Sequence, residues 1–144
     1  MARFTHTIDA KGRVFVPARL RGTIGASLVV TLSLDDGYLS AYSPEQFTLI
    51  REQLGQLSGT DPQVRRLKRL LIGEAMTCEL DSQGRISVSD ELWSHIQVRR
   101  GDEICFIDMI DKLEICAKTF YDEQKEEQGS LAGVDLTRFD VKGL

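Results

Sequence analysis

The chain is 144 residues long, 42% hydrophobic and 28% charged, with a net charge of −4. That supplies enough apolar material for one domain, or for two small halves sharing an interior, without a disulfide or metal staple. No apolar run approaches the ~18 residues of a membrane span, and residues 1–4 lack the apolar segment of a secretory signal, so a soluble cytoplasmic protein is expected.

β-Branched, aromatic and alternating residues predict strands in FTHTI, VFV, LVVTLSL and YLSAY, with Asp36-Gly37 turning the last two into a hairpin. Ser43-Pro44-Glu45-Gln46 combines an N-cap, an N1 proline and an N3 glutamine, and Phe47, Ile50, Leu54 and Leu57 continue on one helical stripe. Leu57-Ser58-Gly59-Thr60 breaks that helix. Asp61-Pro62 opens another, with Val64, Leu67, Leu70 and Leu71 on one face and Arg65, Arg66, Lys68 and Arg69 on the rest. Strands return in MTCEL, RISV, EICFIDM and KLEICA, with Asp111-Lys112 in the place of the first hairpin's turn, and a last helix is expected from Lys118 to Gln128. The expected organisation is a first repeat with its helix over residues 1–58, a basic linking helix over 59–73, a second repeat with its helix over 74–128, and a tail over 129–144. With no flexible linker between them, the halves are expected to pack together.

The reason for reading two halves is a pattern written twice. DAKGRVFVP (9–17) returns as DSQGRISVS (81–89), and the same offset of 72 pairs Ile8 with Leu80, Val14 with Ile86, Val16 with Val88 and Leu20 with Leu92. Each copy reads strand, loop, strand, short helix, hairpin. In D-x-x-G-R an acceptor precedes a glycine able to turn at positive φ, and a guanidinium follows at once. Asp9 can accept the N–H groups of its own loop or hold Arg13 across the bend. An arginine mounted in this way, beside Lys11, could meet a phosphate or the O6 and N7 of guanine. The same pair could equally be an ion pair that only closes a hairpin, and a duplicated fold would keep such a pair in both copies.

Charge distribution favours an anion at the first copy. Residues 1–34 hold Arg3, Lys11, Arg13, Arg19 and Arg21 against Asp9 alone, whereas the acidity lies elsewhere along the chain. The run Arg65, Arg66, Lys68 and Arg69 reads instead as the solvated face of a helix, or as a partner for acidic groups of a neighbouring subunit. Phe15, Trp93, Phe106 and Phe139 lack the aromatic and basic interleaving of single-strand binders and are expected in the core or an interface.

Cys78, Cys105 and Cys116 share no C-x-x-C spacing and sit in half-apolar runs, so they are expected as core thiols. His6 and His95 are too isolated to complete a ligand set. There is no G-x-x-x-x-G-K-[ST], G-x-G-x-x-G or H-E-x-x-H, so neither an enzyme nor a metal or cofactor site is expected.

FTHTIDAKGRVFVPARLR, DPQVRRLKRLLIGEAMTCELDSQGRISVSDEL and the two-copy layout together resemble the MraZ family of bacterial transcriptional regulators, associated with the division and cell-wall gene cluster. The likeness runs from about Ala2 to the helix near Gln128. It implies an α+β, mainly β fold in which each half is a swapped-hairpin, AbrB-like, β-barrel-type unit, the two related by a pseudo-twofold axis with flanking helices. It also implies protomers joined in a closed homo-oligomeric ring, nucleoid-associated, presenting their loops to double-stranded DNA. On this resemblance Asp9, Gly12, Arg13, Asp81, Gly84 and Arg85 are the candidate DNA-binding residues, and Lys11 joins them by its chemistry. Two departures bear on affinity: Gln83 stands where the first copy has Lys11, and Ser89 where it has Pro17. The first copy is therefore expected to dominate binding, with Ser89 still able to cap the helix that follows. Two rivals remain. One is an antitoxin-like module whose tail binds a protein partner, and the other is a purely structural ring.

Overall fold

The computed structural model describes residues 3–144, apart from the side chains at positions 3 and 22–24. The start of the expected first repeat and of the expected family likeness, residues 1 and 2, and the side chain of Arg3 in the basic island lie outside the described residues, as does most of the segment in which a secretory signal was sought.

The first half runs β1 (Arg3–Thr7), β2 (Arg13–Phe15), α1 (Ala18–Ile24), β3 (Ser27–Leu32), β4 (Tyr38–Tyr42) and α2 (Pro44–Gly55). After α3 (Pro62–Lys68) and a π-helical turn (Arg69–Gly73), the second half repeats the order as β5 (Met76–Glu79), β6 (Arg85–Ser87), α4 (Asp90–His95), β7 (Glu103–Asp108), β8 (Leu113–Ala117) and α5 (Lys118–Gln128). The helix starts follow from their caps. Ser43 accepts the N–H of Gln46, Asp61 that of Gln63 and Ser89 that of Leu92, each satisfying a donor that the first helical turn leaves unpaired.

Six strands form one antiparallel sheet in the order β1-β7-β8-β4-β3-β5, and β2 and β6 form a separate two-stranded ribbon. The halves complete one another. β1 pairs with β7, setting Phe4 opposite Phe106, and β5 pairs with β3, setting Cys78 opposite Leu28. In the ribbon Val14 lies opposite Ile86, the residue 72 places on. The sheet is not closed into a barrel, because β1 and β5 end it as two separate edges. The expected barrel-type halves are thus replaced by an open sheet, which by itself lacks the all-round pairing that closure requires.

The core lies between one face of this sheet and the ribbon with α1 and α4. Leu28, Val30, Leu39, Ile104, Phe106 and Ile115 meet Val14, Val16, Ile86, Val88, Leu92 and Trp93 there. Across the other face run α2, α5 and the π turn, where Thr31 donates its hydroxyl to the carbonyl of Leu71 at 2.7 Å. Coverage on both faces explains why β8 is buried at every position and reads as a continuous rather than alternating run. Cys78, Cys105 and Cys116 are buried and unpaired, as expected of core thiols. Burial pushes the Cys78 thiol up to about 11 and the Cys116 thiol up to about 12, so neither carries thiolate at neutral pH.

Of the aromatic residues expected in the core or an interface, Phe15 and Phe139 are not in the core. Phe15 is 44% exposed, since it points away from the core on the outer side of a two-stranded ribbon, and Phe139 is 55% exposed in a tail that packs on little. The apolar stripe of α3 is not core either. None of its residues is buried, and the widened π turn that follows carries Leu70 out to 39% exposure. The run Arg65, Arg66 and Arg69 does face solvent.

Candidate nucleic-acid interface

The two D-x-x-G-R loops precede β2 and β6, so the pairing of those strands brings both loops to one surface. Their internal geometry is the same. In the first, Asp9 Oδ1 accepts the backbone N–H of Lys11 and of Arg13, both at 2.9 Å, and Oδ2 accepts Arg13 Nε–H at 2.8 Å. In the second, Asp81 Oδ1 accepts from the N–H groups of Gln83 and Arg85 at 2.9 Å, and Oδ2 from Arg85 Nε–H at 2.8 Å. Gly12 and Gly84 turn the chain at φ 80° and 79°, in the region that a Cβ disfavours. One carboxylate with three donors and one left-handed glycine therefore fix each arginine's direction. The hairpin-closing ion pair and the mounted guanidinium are the same object, because Asp uses only the Nε edge of the arginine.

The loops also lock to each other. Gly84 carbonyl accepts Val16 N–H at 3.0 Å and Gly12 carbonyl accepts Val88 N–H at 3.3 Å. Arg85 reaches across to Asp9, Nη1 to Oδ2 at 4.0 Å, and its guanidinium lies 5.8 Å from the ring centroid of Phe15. Its side chain is 17% exposed against 28% for Arg13. Arg13 is the more accessible of the two heads. Lys11 is exposed and makes no ion pair among the described residues.

Several residues that reasoning along the sequence passed over belong to this face. Trp93, fully buried, donates Nε1–H to the Gly12 carbonyl at 3.4 Å and so props the first loop from beneath. Arg100 donates Nη1–H to the Ala10 carbonyl at 2.9 Å and pairs with Asp90 at 3.3 Å, tying that loop to the start of α4. Arg21, counted along the chain with the first loop, lies instead against Gly84 of the second. The offset of 72 that pairs Arg21 with Trp93 was a signal for two of these residues; nothing in the sequence marks Arg100. Among the described residues no group of three or more His, Cys, Asp or Glu could hold a metal ion, and no helix is long and apolar enough to cross a membrane.

The Asp9 carboxyl is pulled down to about 2, first by the backbone N–H of Arg13, and then, after an opposing push from desolvation that ranks second, by the N–H of Lys11 and the Arg13 side chain. Asp81 is lowered by the same contacts of Arg85 and Gln83. A carboxyl depressed by folding contributes order above its unfolded value and loses it as pH falls through the folded one, so this loop geometry is expected to persist at pH 4 and to fail toward pH 2. Carboxyl-carbon NMR checks it. The Asp9 midpoint should lie near 2 in the wild type and rise only part of the way toward 3.8, the ordinary value, in Arg13→Ala, which removes the guanidinium but keeps the backbone N–H of residue 13; a wild-type midpoint at 3.8 would contradict the network.

A sequence model of the family described as "MraZ protein, putative antitoxin-like" matches the chain twice, over residues 1–70 and 71–142. A protein of Thermoanaerobacter pseudethanolicus named "Transcriptional regulator MraZ" is 37% identical over 123 residues, 85% of this chain and 84% of that one. One of the same name from Lachnoclostridium phytofermentans is 38% identical over 82% of this chain and 81% of its own. Another, from Ligilactobacillus salivarius, is 33% identical over 98% of this chain and 99% of its own.

Proposed function

This chain belongs to the MraZ family, and from that premise we propose that it is a sequence-specific DNA-binding transcriptional regulator of the division and cell-wall gene cluster, acting on direct repeats as an oligomeric ring. The observation that carries the reading is the pairing of β2 with β6, which sets two identically built guanidinium mounts side by side on one surface. Arg13 and Arg85 are assigned to bases or phosphates, Lys11 to a phosphate. Asp9, Asp81, Gly12 and Gly84 hold the loops in shape. Each half is read as a swapped-hairpin unit about a pseudo-twofold, supported by the exchange of β1 and β5 between halves and by Val14 lying opposite Ile86. The units span residues 1–58 and 74–128, joined by the helical segment 59–73 and followed by the tail 129–144. The protein is placed in the cytoplasm, on the nucleoid.

The test is a mobility-shift titration with the duplex just upstream of the protein's own gene. Arg13→Ala is expected to weaken binding by about 1–3 kcal/mol, the worth of one good bidentate base contact. Arg85→Ala should cost less, since Arg85 is the less exposed head and already bridges Asp9 and Phe15. An unchanged shift with Arg13→Ala, at one fixed salt concentration, would sink the assignment; a larger loss from Arg85→Ala would reverse the ranking of the loops.

A further inference from the structure

The two loops do not rest on equivalent supports. Trp93 of α4 props the first loop through the Gly12 carbonyl. Its counterpart 72 places earlier, Arg21 of α1, lies under the second loop. Arg21 Nε–H is held by the Val16 carbonyl at 2.9 Å, and its Cζ sits 2.5 Å from where a Cβ on Gly84 would be. A Cβ there would push the guanidinium aside. The helix of each half thus backs the loop of the other half, in one case with a neutral indole and in the other with a cation.

Charge pairing around the loops shows what that difference does. Arg13 is paired with Asp9, Arg85 with Asp81 and Asp9, and Arg100 with Asp90. Around the loops Lys11, Arg19, Arg21 and Arg99 make no ion pair among the described residues; of these, Lys11 sits in the first loop and Arg21 lies against the second. Counted along the sequence, the second loop is short of one positive charge because Gln83 replaces Lys11. Counted in space, each loop has one uncompensated cation. An arginine pinned by Nε alone keeps its Nη edge for an oxyanion, and its planar fork suits a phosphate oxygen pair.

We propose that Arg21 is a phosphate-binding residue of the second loop, supplying from α1 of the opposite half the cation that Lys11 supplies to the first. The assignment rests on the DNA-binding reading above and extends it to a residue outside the D-x-x-x-R pattern. Lys11 and Arg21 then each neutralise one backbone phosphate, without reading sequence, while base reading, where it occurs, falls to Arg13 and Arg85.

The experiment is a fluorescence-anisotropy titration of the full chain against the upstream duplex over a range of salt concentrations. Arg21→Gln should lower the salt slope by roughly 0.9 for each second loop engaged, a loss of about fivefold in affinity per contact at 0.15 M salt. Lys11→Gln should do the same at the first loop, and Arg21→Lys should restore the slope. Arg21→Gln with wild-type slope and affinity overturns the assignment. Should Arg21→Gln not fold, the Arg21 Nε–H resonance of the unmutated protein decides: it shifts when the duplex is added, and a resonance that stays put overturns the assignment. A wild-type protein that fails to bind the duplex at all overturns the regulator reading, and this residue's role with it.

Discussion

A duplex carrying several copies of the recognition element is expected to bind about 10²–10⁴ times more tightly than a duplex carrying one, the range in which linked weak sites gain from effective concentration. The reasoning starts from charge. The chain carries a net charge of −4, so it cannot hold DNA by bulk attraction, and the surplus cations of the loop surface are few. One protomer can therefore neutralise only a handful of phosphates. The proposed closed ring would repeat that small surface around an axis, and direct repeats on the duplex would let neighbouring protomers engage together. Salt sensitivity should rise in step, by roughly 0.9 in slope for each phosphate contact added. Anisotropy titrations with duplexes of one, two, three and four repeats, at constant length and salt, measure the gain. Equal affinity across the series would leave the multivalent mechanism without support, whatever the arginines do individually.

Trp93→Ala is expected to cost about 3–5 kcal/mol of folding stability, the range for truncating a large buried aromatic side chain. Trp93 is 0% exposed and stands in the core between the sheet and the ribbon. Its removal opens a cavity that β-sheet and helix backbone cannot collapse to fill. It also takes a hydrogen bond from the Gly12 carbonyl, which retains only Val88 N–H at 3.3 Å. Trp93→Phe keeps most of the ring volume, so the loss should fall to about 1–3 kcal/mol, the cost of one lost hydrogen bond and a smaller void. Urea denaturation followed by circular dichroism checks both, at matched protein concentration because self-association would shift the apparent stability. A loss below about 1 kcal/mol for Trp93→Ala would mean that the tryptophan is not the keystone of the core that its burial indicates.

Much of this architecture was legible along the chain, and the reasons are local. Ser43, Asp61 and Ser89 cap helices because a short oxygen-bearing side chain satisfies free N–H groups wherever a first turn begins. Gly12 and Gly84 turn at positive φ because their neighbours require it and a Cβ would resist it. Asp9 and Arg13, four residues apart across that turn, have little choice but to meet. What covers the stripe of α3 was not legible, for an equally physical reason. Helical periodicity reports which residues share a face, but not whether anything packs on it, and the π turn then shifts the face itself. Phe15, expected in the core or an interface, lies outside the core because a two-stranded ribbon has one covered side only.

By itself, the sequence determined the elements, their caps, the doubling at an offset of 72 and the inner geometry of each D-x-x-G-R loop, since all of these depend on groups a few bonds apart. Only the tertiary structure decided that the strands of one half complete the sheet of the other, that the sheet stays open, and that Arg21 lies against the loop farther from it along the chain. Those outcomes depend on contacts between segments roughly 45 to 105 residues apart, where no local preference acts and only the shared burial of both halves selects the partner.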